Sequence, residues 1–211
     1  MDSAVAIVQA YLHANGYFTV TEYPVIEAME EGQYRTATDV DVMAVRLPGA
    51  GRLVTRTERG GEDFLLSEPD PQLEPPDDRI DLLICEVKQG RAELNLGATN
   101  PDVLRAVLTR FGGDTGRNTK KLIGELMRKG EAVYASGPRV RLIAFGASLP
   151  KKRTSQYRVI TLQHALDYLR SGYEAQWPVL RQVQFKHPGF DFLMMIEKAR
   201  RAAESESKSR K

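Results

Sequence analysis

Cysteine is nearly absent. Cys85 is the single one among 211 residues, which excludes an internal disulfide and a cysteine-built zinc cage. Histidine is scarce as well: His13, His164 and His187 are scattered and give no H-E-x-x-H spacing, so zinc chemistry is disfavoured. Apolar runs are short, residues 192–196 being typical. Crossing a bilayer takes ~20 apolar residues, so no spanning helix is expected. The N-terminus has no basic stretch ahead of its apolar residues, which are spaced helically. It reads as a folded first helix and not a signal peptide, so a cytoplasmic location is expected.

Charge of one sign is also missing overall, the net being +2, with 42% hydrophobic and 27% charged residues, a globular composition. The distribution is uneven. Residues 48–79 hold eight acids and four arginines, whereas residues 105–153 hold twelve basic residues against Asp114, Glu125 and Glu131. Such a basic block either attracts a polyanion through counterion release or forms solvated helix faces.

The length suits one domain, taken as residues 1–203. A first helix is predicted over 3–14, with Asp2 or Ser3 as cap and Asn15-Gly16 as stop. Strands are predicted over 17–26, 34–47 and 80–88, the last almost continuously apolar until Glu86, as suits a strand covered on both faces. Between the second and third, residues 48–79 carry Gly60-Gly61, Pro69, Pro71 and Pro75-Pro76 and read as a surface insertion containing a hairpin of 53–57 with 64–66. Helices follow from Pro101 and over 120–129, strands over 139–145 and 157–162, and helices over 161–170, 173–184 and 190–203. The stretch 204–211 has no apolar residue and is expected to be a disordered tail. This order points to an α/β class with a mixed sheet flanked by helices, and argues against regular βαβ alternation.

The informative feature is charge inside strands. Asp39 and Asp41 sit two apart, and so do Glu86 and Lys88, so each pair is expected on one face of its strand, with Cys85 and Val87 opposite. Charged groups in a sheet are costly unless paired or bound to a metal. Two accounts fit: a structural ion cluster at strand ends, or a site in which Asp41 and Glu86 hold Mg²⁺ or Mn²⁺ with several waters and Lys88 touches the water or a scissile phosphate. Other motifs fail. The glycine-rich stretch 112–119 lacks G-K-[ST] and follows a helix, and there is no G-x-S-x-G.

The acid in TDVDVMAV followed by E-V-K in ICEVKQG, each on an apolar strand with a helix and strand ahead and behind, resembles the PD-(D/E)XK nuclease superfamily, whose restriction-endonuclease-like core runs αβββαβ. The likeness covers about residues 1–150 in element order, with a C-terminal helical extension beyond it. It implies a metal-dependent phosphodiesterase, on DNA before RNA, that uses Mg²⁺ or Mn²⁺. Asp41 and Glu86 would be ligands, the Val87 carbonyl a third, and Lys88 the catalytic lysine. Many members place a further acid on the first helix; here that helix has none after Asp2, and Glu22 is the nearest substitute. Gln89 and Asp39 are accessory candidates. Arg117, Lys120, Lys121, Lys151, Lys152 and Arg153 are the expected nucleic-acid contacts. The alternative is a nucleic-acid-binding or assembly subunit that kept the fold and lost catalysis. A homodimer or a larger defence or repair complex is the expected setting, with no membrane partner.

Overall fold

The first helix is set by its ends. In a computed structural model, which describes residues 2–54, 63–65, 68–95, 97, 99–113, 117–152, 156–184 and 186–209, α1 spans Ser3–Ala14, and the Asp2 carboxylate accepts the Ala4 N–H at 2.9 Å. Gly16 ends it at φ 84°, where a Cβ would come within 2.6 Å of the Gly51 nitrogen, so only glycine fits. Strands β1 (Phe18–Ala28) and β2 (Tyr34–Arg46) then form an antiparallel pair. A small hairpin, β3 (Arg52–Val54) with β4 (Asp63–Leu65), stands apart from the main sheet; the turn expected to join its arms lies outside the described residues.

β5 (Asp81–Arg91) is buried along its first seven residues, antiparallel to β2 and parallel to β7 (Arg139–Ser148). The crossover between those parallel strands contains α2 (Pro101–Arg110), α3 (Arg117–Lys129) and β6 (Glu131–Val133). β6 and β8 (Arg158–Thr161) share the far side of β7: β6 antiparallel along Arg139–Arg141, β8 parallel along Ile143–Gly146. The result is a mixed six-stranded sheet with helices on both faces. On one face α1, α4 (Leu162–Ala175) and α6 (Pro188–Ser209) cover Val42, Leu83, Cys85 and Phe145; on the other α2 and α3 cover Met43, Leu82, Ile84 and Leu142. A short α5 (Trp177–Leu180) links α4 to α6. Among the described residues no helix is long and apolar enough to cross a membrane.

The insertion and the tail are each held by particular contacts. Residues 68–79 run largely exposed over the surface, yet Leu73 is fully buried and the stretch is anchored by buried charge. Asp81, fully buried, pairs with Arg141 and accepts from Arg139 Nε at 3.0 Å and Tyr17 Oη at 2.5 Å, while Arg141 Nη1 donates to the Leu73 carbonyl at 2.6 Å. Arg46 likewise donates to the Asn15 and Pro76 carbonyls, at 3.1 and 2.6 Å. Asp70 is held by Tyr11 Oη and His164 Nε2, each at 2.5 Å. At the C-terminus, where a disordered tail is expected, α6 continues to Ser209; Glu197 takes Arg200 and Arg201 at 2.7 and 2.5 Å and Arg200 also pairs with Glu204, which supports the helix past the apolar residues as far as Glu204.

Candidate active site

The β2–β5 ladder runs from Arg46–Asp81 to Val42–Cys85 and stops, while β5 stays in register with β7 through Lys88–Gly146. The next row would pair Asp41 with Glu86. Here the strands part, and the Asp41 carboxylate accepts the Val87 N–H at 2.7 Å. β2 also turns over at this point: Val42 packs in the α1 layer, but Val40, two residues away, packs in the α2–α3 layer. Across from Asp41, between the pairs Thr21–Val42 and Tyr23–Val40, Glu22 has φ 53°, a left-handed backbone that costs a non-glycine residue energy. The alternation expected to put Asp39 and Asp41 on one face is thus interrupted. Asp39 is exposed on the outer part of the β1–β2 arm, and Asp41 is half-buried.

Glu86 follows Ile84 on the α2–α3 face and is 2% exposed. Its Oε1 takes two donors, the Lys88 ammonium and Asn95 Nδ2, the latter at 2.7 Å. Burial pushes the Glu86 carboxyl above the usual range; the Lys88 hydrogen bond opposes this, and the Asp41 charge adds to it. Neither Asp41 Oδ1 nor Glu86 Oε2 receives a hydrogen bond from a described residue. Lys88 keeps 41% of its side chain exposed, so its ammonium sits between a buried anion and solvent. Cys85, on the opposite face, is buried, and burial raises its thiol well above the ordinary value, which leaves it inert.

The remaining candidates divide. Gln89 Nε2 donates to both Asp2 carboxylate oxygens at 3.0 Å, on the α1 side. Gln89 is therefore tied to the cap of the first helix, which brings Asp2 to this end of β5. The Ala4 N–H and Gln89 hold the Asp2 carboxyl below its ordinary value. Val87, expected to offer its carbonyl, meets Asp41 through its N–H. Lys151 and Lys152 are exposed just after β7, at the same end as Lys88; the Lys151 N–H donates to Glu93 Oε1 at 3.3 Å. Lys120 and Lys121 are exposed on α3, and Lys121 lines a cavity with Tyr134 and Ser136 beside the β6–β7 turn. That turn leads into Arg139, which pairs with Asp81, five rows or about 16 Å of strand from Glu86. The basic block is thus split between opposite ends of the sheet. The Arg117 side chain and Arg153 lie outside the described residues.

Sequence reasoning missed Asn95 and Arg91. Arg91 is exposed and pairs with Ser148, which adds a cation to the rim holding Lys88, Lys151 and Lys152. It could have been found, since it continues E-x-K by three residues on one strand. Asn95 could not, because a loop asparagine has no periodicity to betray its partner. Among the described residues no group of three His, Cys, Asp or Glu side chains comes together as a metal cage. No family model, curated protein or solved structure matches the chain.

Proposed function

We propose that the protein is a Mg²⁺- or Mn²⁺-dependent nuclease that hydrolyses phosphodiester bonds, in DNA before RNA, on a restriction-endonuclease-like core of the PD-(D/E)XK kind. The observation that carries this reading is the row where β2 leaves β5. There Asp41 turns to the Val87 N–H one residue past Glu86, its charge is felt by the Glu86 carboxyl, each carboxylate has an oxygen that takes no hydrogen bond from a described residue, and Lys88 reaches both buried charge and solvent. The order α1-β1-β2-β5-α2-β7, with β5 and β7 parallel, agrees with the αβββαβ core.

The donor set fits a hard divalent cation. Such ions take oxygen ligands and are commonly held by one or two carboxylates with several waters, and a buried carboxylate repelled by a neighbour gains from a cation between them. Asp41 and Glu86 would hold it. When bound, the ion supplies Lewis acidity at a phosphoryl oxygen and lowers the pKa of its water. The chain supplies the rest. Asp41 is oriented by the Val87 N–H, and Glu86 by Lys88 and Asn95. Lys88 places positive charge where a phosphate develops negative charge, and Arg91, Lys151 and Lys152 offer phosphate contacts that position the strand without reading its sequence.

The test is cleavage of supercoiled plasmid, linear DNA and RNA with Mg²⁺, Mn²⁺ or EDTA. Wild type is expected to cut only with metal. Lys88→Ala is expected to lose ~100-fold or more in rate, the range for a positioned proton-transfer or charge-stabilising group, while retaining DNA binding. Binding without metal-dependent cleavage would leave the non-catalytic subunit as the function.

A further inference from the structure

We infer that Asn95 is a positioning residue that fixes the Glu86 carboxylate independently of Lys88, so that the lysine is free to leave Glu86 for the substrate phosphate. The inference rests on the metal-dependent reading above and adds a division of labour to it. Both donors sit on one oxygen, Oε1, leaving Oε2 for a ligand bond. They are not equivalent. Lys88 is a flexible four-carbon stem with a half-exposed side chain, able to swing toward an incoming anion. Asn95 is a short planar amide on a loop pinned at several points.

That loop runs from the end of β5 to α2. At its start the Ala92 N–H donates to the Ser148 carbonyl at 2.9 Å, and Ala92 lies so close to β7 that a Cβ on Gly146 would fall 2.4 Å from its nitrogen. Farther on, Gly97 packs against β2, where a Cβ would come within 2.9 Å of Thr38 Oγ1. The Asn100 N–H donates to the Gly97 carbonyl at 3.0 Å, and the Asn100 side chain caps α2 at the Asp102 N–H. The Thr99 hydroxyl reaches the Asn95 carbonyl at 3.4 Å. Asn95 is thus carried by a bridge from β7 to β2 across the end of β5, and its amide holds Glu86 against that frame. A carboxylate held by lysine alone would lose its orientation whenever the lysine moved.

Isothermal titration with Mn²⁺ and steady-state plasmid cleavage would be measured on wild type, Asn95→Ala and Asn95→Gln. Partners that orient metal ligands typically contribute ~10-fold or more to affinity or rate. Asn95→Ala is expected to raise the Mn²⁺ Kd by about that factor and to lower kcat while leaving KM for DNA unchanged. Asn95→Gln, which keeps the amide donor, is expected to recover part of both. A purely structural role would lower the Tm without changing Kd or the split between kcat and KM. Wild-type Kd and kcat in folded Asn95→Ala would overturn the inference. If Asn95→Ala does not fold, Asn95→Ser carries the same comparison. A wild type that binds no Mn²⁺ and does not cut would instead defeat the nuclease reading, and the inference with it.

Discussion

A carboxylate as buried as Glu86 is a cost to the folded chain unless something compensates it. Lys88 and Asn95 do so in part, but burial and Asp41 still raise its pKa in the folded state above the ordinary 4.5. The linkage sign follows. A raised folded-state pKa favours folding while the carboxyl is protonated, so this contribution is complete below the ordinary range and is lost as pH rises through the folded-state value. Glu86→Gln cannot ionise and escapes that loss. In EDTA, its Tm relative to wild type is therefore expected to rise as pH climbs from the ordinary carboxylate range through the raised folded-state value, as thermal melts across a pH series would show. A difference that stays constant with pH would mean that Glu86 is a comfortable member of an ion cluster. The residue types here were legible because aspartate, glutamate and lysine within apolar strands violate strand preference. The partners were not: Val87 meets Asp41 only because β2 leaves the ladder one row early, and no property of TDVDV announces where pairing stops.

Elements with strong periodicity or continuous burial were readable, and those held by long-range contacts were not. β5 and α1 fall within a few residues of their expected limits because apolar runs and caps mark them. β6 has three residues and no pattern of its own, existing because it pairs with Arg139–Arg141. The polar end of α6 is invisible to hydropathy but is stitched by Arg200, Arg201 and their glutamates. Residues 68–79 look like a loop in sequence, yet the charges that hold them come from β2, β5 and β7. Arg141→Met is expected to cost about 3–5 kcal/mol in denaturant unfolding, because it leaves the fully buried Asp81 without its principal counter-charge. The contact between β7 and the loop after β5 is steric instead. Gly146→Ala puts a methyl 2.4 Å from the Ala92 backbone nitrogen, an overpacking expected to cost about 1–3 kcal/mol. Because that loop carries Asn95, the same variant is expected to lose cleavage more than it loses DNA binding, as parallel rate and affinity measurements would show.

At the scale of the molecule, the arrangement of positive charge decides where a polyanion can lie. Linear composition placed the cations of residues 105–153 in one block, but the fold sends Lys151 and Lys152 to the end of the sheet that holds Glu86 and Lys88, and Lys121 to the end beside the β6–β7 turn. Sequence cannot show this, since a charge count has no record of which end of a strand each loop joins. The two groups can be separated by charge reversal. On the proposed function, a DNA backbone engaged at Asp41 and Glu86 would meet Lys88, Arg91, Lys151 and Lys152 at the same end of the sheet, each neutralised phosphate contributing about 0.9 to the slope of log affinity against log salt. Lys151→Glu with Lys152→Glu is therefore expected to weaken binding to DNA of any sequence and to flatten that slope by about two. Lys120→Glu with Lys121→Glu, on α3 where Lys121 sits beside the β6–β7 turn, is expected to change the slope by less, because short-range contacts at that end are not required by a strand held at Asp41 and Glu86. Fluorescence anisotropy on a short duplex from 50 to 300 mM salt would measure both. A larger loss from the Lys120–Lys121 pair would mean that the nucleic acid runs along α3, away from the carboxylates, and would move the interface off the proposed active site.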